Sequence, residues 1–293
     1  MRTGDGDGET GRRGHKKLRL PASLSRLSGP PITLLTDFGS ADYFVGAVKG
    51  AILSVNPSAL IVDITHEIPP HDVDAGAFAL LASYRSFPQQ TIHVGVVDPG
   101  VGSSRRSILV SAGDYFFVGP DNGIFSYILE NEPRHLSFHL VNEKYFHDQV
   151  SATFHGRDIF APVAAALSLG VKMNAFGPKI IDEVRLPSLQ PVVQHSGRLK
   201  GRIIHIDHFG NCITNLRREN LDEPPESRAS LLVNGRTIRS FKPFFSHKKG
   251  GSEKLFCLWG SAGFLEIAAA NQSAAKLLGA KRGQAVVLRI KRQ

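Results

Sequence analysis

From Ile32 onward the chain alternates short, nearly unbroken apolar runs with longer stretches whose apolar residues recur every three or four positions. ITLLTDF is followed by a helix predicted from about Ser40 to Val55, then ALIVDIT, a helix after Asp72, and TIHVGVVD, which ends at Asp98. Two more runs, SILVSAG and YFFVGP, precede a helix predicted from Gly123 to about Glu132. Strands that read as continuous apolar runs are those covered on both faces. The pattern therefore predicts an α/β fold whose N-terminal domain, residues 32–186, is a mostly parallel sheet flanked by helices. Ligands of such sheets gather beyond the carboxyl ends of the strands, so the residues just after each run are the ones to inspect.

RLPSLQPVVQHSG, with Pro187 and Pro191, interrupts the alternation and predicts a linker over residues 187–198. GRIIHID, CITNL, SLLVNGRTI, LFCLWG and AVVLRIK then predict a smaller β-rich domain over 199–293, a barrel or a sandwich. Asn234-Gly235 marks a hairpin turn, and one helix is expected from about Ala268 to Leu278. Residues 1–31 lack any apolar period and are rich in Gly, Ser and charge, which predicts a disordered basic extension. No apolar core of a secretory signal occurs there, and Asp5, Asp7 and Glu9 argue against a transit peptide.

The formal charge of +9 over 293 residues would suit a nucleic-acid partner, but its distribution does not. Residues 1–31 hold seven Lys or Arg against three acids, and residues 281–293 hold five against none. The body between them is balanced at 23 against 23, with no basic helix, so no nucleic-acid partner is expected. The uncharged stretch from Ile159 to Val171 falls short of the roughly 20 apolar residues of a membrane span. Cys212 and Cys257 lie far apart without a CxxC partner, which predicts buried free thiols in a reducing, cytoplasmic setting.

Two motifs resemble known sites without their physics. His66 and His71 are five apart with Pro69 and Pro70 between them, so no helix can present both to a metal. The Asp37-Phe38-Gly39 triplet has no phosphate loop and no HRD sequence to accompany it, and no Gly-x-Ser-x-Gly elbow occurs. Four polar clusters remain: Thr36-Asp37-Phe38-Gly39 with Asp42; Asp98-Pro99-Gly100-Val101-Gly102 with Arg105; Phe154-His155-Gly156-Arg157-Asp158; and Asp207-His208-Phe209-Gly210-Asn211. Each sets a carboxylate beside a glycine that lets the backbone turn sharply or a ligand approach. Any one of these acids could be a turn or helix cap; four together point to a ligand site.

These clusters, with VDITHEIPPHDV, FVGPDNG and SAGFLEIA between and after them, closely resemble the S-adenosylmethionine hydroxide adenosyltransferases over roughly residues 32–290. The family is related to the halogenating enzymes that also cleave S-adenosylmethionine. The resemblance implies hydrolysis of S-adenosylmethionine to adenosine and methionine, with no metal or cofactor, in a homotrimer with active sites between subunits. It places the catalytic set on Asp98, Arg105 and His155, a set the halogenating relatives lack. It also places ribose binding on Asp37, the methionine ammonium near Asp42 and Asp207, adenine near Phe209 and Asn211, and the methionine carboxylate near Ser261. Ala262 stands where the halogenating relatives carry Arg, and Asn271 receives no role. A sulfonium departs as neutral methionine, so no general acid is needed; the nucleophile is the difficult part, and positioning water in line addresses it. Halide-dependent cleavage, a non-catalytic nucleoside-binding module and a nucleic-acid-binding tail are the alternatives.

Overall fold

The computed structural model describes residues 29–194, 198–220, 229–245 and 254–290; nearly all of the extension expected over 1–31 lies outside them. Seven strands form the first sheet: β1 (Ile32–Thr36), β2 (Ile61–Thr65), β3 (Ile92–Val96), β4 (Ser107–Ala112), β5 (Tyr115–Pro120), β6 (His135–His139) and β7 (Lys179–Ile180). Their order is β2-β1-β3-β5-β4-β6-β7. The half from β2 to β5 is parallel, and β4, β6 and β7 join antiparallel, so the sheet is mixed. The change follows from connection length. Residues 113 and 114 alone join β4 to β5 as a hairpin, whereas parallel neighbours need a crossover.

Helices fill those crossovers. α1 (Phe44–Val55) buries Val48 and Ile52, four apart on one face, and starts after a bend over residues 40–43 that sequence periodicity had placed in the helix. α2 (Val73–Ser83) is capped by Asp72, whose carboxylate accepts the Ala75 N–H at 3.0 Å. α3 (Ser126–Asn131) packs beside α2, and α4 (Ala161–Ser168), buried along its whole length, packs on α1.

The second sheet comprises β8 (Val192–Gln194), β9 (Arg198–Ile206), β10 (Cys212–Arg217), β11 (Ala229–Val233), β12 (Arg236–Ile238), β13 (Leu255–Trp259), β14 (Phe264–Ala269) and β15 (Ala285–Ile290). Its order is β12-β11-β15-β9-β10-β14-β13, with β8 beside β9, and every pairing is antiparallel. A bridge from Phe241 to Cys257 brings the β12 end to β13, so the sheet nearly closes into a barrel. Asn234 and Gly235 turn β11 into β12 with φ of 46° and 73°, the paired left-handed geometry their identities favour. The helix expected from Ala268 is shorter: α5 runs Ala274–Leu278 behind a Ser273 cap. Ala268 and Ala269 stay in β14, paired with Phe256 and Leu255, because ladder pairing outweighs alanine's helical preference. Within the expected linker, Leu189 is buried and β8 is hydrogen-bonded, so part of that stretch is built into the fold.

One core cluster spans both sheets, joining Leu35, Phe78 and Ile128 to Ile204, Ile213 and Phe264. Phe78 of α2 stacks on His205 with ring centroids 5.0 Å apart. Cys212 and Cys257 are buried and free, registered on opposite sides of Ile267. Two strand spacings separate them, about 9–10 Å, beyond disulfide reach. Among the described residues no helix is long and apolar enough to cross a membrane.

His93 on β3 is fully buried against Phe117, with Nδ1 2.7 Å from the Thr33 hydroxyl and no partner for Nε2. Burial pushes its pKa down to about 3, so the folded protein holds it neutral while the unfolded chain takes up a proton near pH 6.5. Its contribution is therefore intact above pH 6.5 and is lost as pH falls from there toward 3, at up to about 1.4 kcal/mol per pH unit. Denaturant unfolding of wild type and His93→Phe at pH 7 and pH 5 checks this. The acid-induced loss should shrink by about 2 kcal/mol in the variant; equal losses would refute it.

Candidate active site

β1 and β3 are parallel neighbours with Thr36 opposite Val96, so Asp37 and Asp98 emerge side by side at their carboxyl ends. The loop after Asp98 returns Arg105 to it. Arg105 Nε donates to Asp98 Oδ1 at 2.9 Å and Nη2 donates to Oδ2. Nη1 donates to the Arg106 carbonyl at 3.2 Å and the Ser107 hydroxyl at 3.0 Å, and Nη2 also donates to His155 Nδ1 at 2.7 Å. All five guanidinium N–H groups thus have acceptors. The Arg105 and Asp98 side chains are only 9% and 5% exposed, and the guanidinium lies 5.5 Å over the Phe160 ring. Gly102 permits this loop to close: its φ is 78°, and a Cβ there would stand 2.2 Å from the Ala152 carbonyl oxygen. Glycine is required at that contact, which presses the 98–105 loop against the one bearing His155.

The Arg105 contact fixes the chemistry of His155. A guanidinium only donates, so Nδ1 accepts and the proton of the neutral ring is on Nε2. Burial first, then the Arg105 charge, lower the His155 pKa, with Asp98 and Asp158 partly opposing. The ring is therefore neutral at pH 7. His155 heads a π-helical turn, Gly156–Phe160, that runs into α4. Asp158 of that turn is fully buried and accepts the Ser151 N–H at 2.8 Å and the Arg157 guanidinium at 2.6 Å, tying the loop before His155 to the helix behind it.

Asp37, Asp98 and His155 line one cavity of about 290 Å³, walled by Phe38, Phe44 and Phe154. His71 lines it too, a residue sequence reading treated only as half of a false metal motif. Its backbone is left-handed at φ 66°, and its N–H donates to Asp37 Oδ2 at 2.8 Å. Nothing in the linear sequence signals that conformation. His66 faces elsewhere, with Nδ1 2.9 Å from the Thr36 hydroxyl and Nε2 3.1 Å from the Asp63 carboxylate. Among the described residues no group of three His, Cys, Asp or Glu is arranged to hold a metal ion.

The other anticipated residues lie apart from this cavity. Asn211 donates through its backbone and side-chain nitrogens to both Asp207 oxygens, at 2.8 and 2.9 Å. Phe209, 76% exposed, and Asn211 line a second cavity of about 490 Å³ with Asn271, Gln272 and Ser273. Asn271, with φ 55°, was given no role from sequence. Asp42 lies in an exposed bend before α1 and Ser261 in an exposed turn between β13 and β14, and neither lines either cavity. The chain thus unites Asp37, Asp98, Arg105 and His155 at one place and Asp207, Phe209 and Asn211 at another.

Known proteins share this arrangement of sheets. A solved structure of an uncharacterized conserved protein from Thermotoga maritima superposes with a TM-score of 0.80 at 33% identity, covering 88% of this chain and 99% of that one. The chain is 36% identical over 259 residues to an (R)-S-adenosyl-L-methionine hydrolase of Methanocaldococcus jannaschii, covering 84% of this chain and 91% of that relative. It is 28% identical to a fluorinase of an Actinoplanes species over 235 residues, 70% of this chain and 79% of the fluorinase. Residues 32–177 match the SAM hydroxide adenosyltransferase N-terminal domain and residues 201–287 the C-terminal domain, so the chain belongs to that family.

Proposed function

We propose that the protein hydrolyses S-adenosyl-L-methionine to adenosine and L-methionine by attack of water on the ribose 5′ carbon. The observation that carries this reading is the Asp98-Arg105-His155 cluster, whose acid and imidazole open on the cavity that also holds Asp37. Asp37 suits the ribose diol, because one carboxylate can accept from both hydroxyls. A water in the cavity accepts from His155 Nε2–H and donates to Asp98, whose oxygens each keep a lone pair beside Arg105. As the water oxygen bonds to C5′, the C5′–S bond breaks and its electron pair leaves with sulfur as neutral methionine. The water proton passes to Asp98 and on to solvent. His155 then orients the nucleophile, and Arg105, its donors all engaged, acts through its charge. No step in this scheme calls on a metal or cofactor.

The second cavity supports the oligomeric part of the proposal. Phe209 and Asn211 present an exposed aromatic ring and an amide suited to adenine, away from the reacting groups of the same chain. Tyr43, beside the first cavity, is 70% exposed. We place these two half-sites together across the interfaces of a homotrimer, where exclusion of solvent would complete the pocket. Asp42, Asp207 and Ser261 then take the methionine portion of the substrate. Two free buried cysteines fit a cytoplasmic setting, and neither a membrane nor a nucleic acid takes part in this reading.

Purified protein with S-adenosyl-L-methionine in oxygen-18 water should release adenosine and methionine in equal amounts, with label in the adenosine 5′ hydroxyl. Asp98→Asn should lower kcat by about 10²–10⁴-fold. Unlabelled adenosine, or an unaffected Asp98→Asn rate, refutes the mechanism, and ligand binding without turnover would mark a binding module. Because the hydrolase relatives are named for the (R) epimer at sulfur, the (R) form should be consumed in preference to the (S) form when both are supplied. Equal consumption would remove that specificity. Asp98→Asn and Asn211→Ala should each inactivate the protein alone, yet co-assembled chains should recover about a quarter of the sites, those pairing one intact half with the other. No recovery from verified hybrids would place each site within a single chain.

A further inference from the structure

The left-handed backbone at His71 is held in place from the second sheet. His71 belongs to a short turn in which the Asp72 N–H donates to the Pro69 carbonyl at 3.0 Å and the Val73 N–H to the His71 carbonyl at 3.1 Å. A non-glycine residue at φ 66° costs of order 1–3 kcal/mol and persists only where its surroundings over-determine it. Asp72, the next residue, supplies that constraint from two directions. Its Oδ1 accepts the Ala75 N–H and so anchors α2. Both its oxygens also receive Arg282, through Nη1 to Oδ2 and through Nη2 to Oδ1 at 2.9 Å. Arg282 sits in the turn before β15, where the Gly283 N–H donates to the Ile203 carbonyl at 2.8 Å, so the guanidinium is mounted on the barrel. Arg282 Nε also lies 3.8 Å from the Asp74 carboxylate.

Resting on the ribose-binding role proposed for Asp37, we infer that Arg282 is a positioning residue for ribose recognition. It clamps Asp72 by a bidentate contact, which holds His71 left-handed, which aims the His71 N–H at Asp37 Oδ2. That N–H occupies one lone pair of Oδ2 and fixes the carboxylate plane. The remaining lone pairs are left for the two hydroxyls of a vicinal diol in the cavity that Asp37 lines. Arg282 touches neither substrate nor reacting atoms and works only through the turn. Without the clamp, His71 can relax to negative φ, the N–H swings away, and Asp37 rotates freely.

A general loosening of the protein would weaken every nucleoside alike; loss of carboxylate aim weakens only those with a diol. The experiment therefore measures binding of adenosine and of 2′,3′-dideoxyadenosine to the full-length assembled protein, for wild type, Asp37→Asn and Arg282→Met. Wild type should prefer adenosine, Asp37→Asn should abolish most of the preference, and Arg282→Met should cut it at least threefold while dideoxyadenosine binding changes little. If Arg282→Met does not fold, Arg282→Lys keeps the charge without the fork and should cut the preference by a smaller factor. No diol preference in wild type, or one unchanged in Asp37→Asn, overturns the ribose role itself. A preference lost in Asp37→Asn but retained in the folded Arg282 variants, or an equal drop for both nucleosides, overturns the Arg282 inference alone.

Discussion

One guanidinium, shared between a carboxylate and an imidazole, organises the first cavity. Arg105 neutralises Asp98 where both side chains are almost wholly buried, and a lone carboxylate there would be expensive. The same cation sets the tautomer of His155 by occupying Nδ1 and helps keep its ring uncharged. The fold has to bring two distant segments, the 98–105 loop and the one bearing His155, together for this contact. It does so by placing Asp98 two residues beyond the end of β3, returning Arg105 over a glycine-dependent loop, and starting a π-helical turn after His155. π-turns tend to occur where function fixes a side chain against the regular helical period.

That constraint explains why the sheet is parallel where it is. Asp37 and Asp98 are adjacent because β1 and β3 run the same way in register, and parallel strands deliver their carboxyl ends to one rim. The antiparallel half reaches the cluster through the first residue of β4, Ser107, whose hydroxyl accepts from Arg105. It is built from a two-residue hairpin and edge strands, and its residues line neither the cavity of Asp37 and His155 nor that of Phe209 and Asn211. α2 carries the coupling to the barrel: its N-cap Asp72 meets Arg282, and its Phe78 stacks on His205.

Much of this was legible in the sequence, because continuous apolar runs, the Asn234-Gly235 turn and acids at strand ends are local signals. The four clusters also pointed to Asp37, Asp98, Arg105 and His155, which the fold does bring together. What stayed hidden depends on tertiary context. Ala268 and Ala269 read as helix until a neighbouring strand claims them. The left-handed φ of His71 follows from the clamp on Asp72, not from its own side chain. Asn271 receives no role from the sequence, yet the turn after β14 places it beside Phe209 and Asn211. Asp42 and Ser261 are exposed and line neither cavity, so the fold of the chain adds nothing to what the sequence said of them.

Charge balance separates water from halide as the nucleophile. The cavity presents two carboxylates, Asp37 and Asp98, and the Arg105 guanidinium on Asp98 already gives every N–H to acceptors within the protein. A halide entering it would have to shed its hydration shell beside two negative groups with no Arg105 donor free to receive it, which is costly in a desolvated site. A sulfonium meets the opposite conditions, since its positive charge offsets the carboxylate left unpaired by Arg105. Water carries no charge to desolvate and can use both the Nε2–H donor and the Asp98 acceptor at once. When C5′–S breaks, the positive charge on sulfur vanishes and reappears as the proton that water gives up, so an anion close to the nucleophile suits the role of acceptor. In the proposed scheme Asp98 is that anion, with Arg105 balancing its charge until the proton arrives, and methionine leaves with a neutral sulfur.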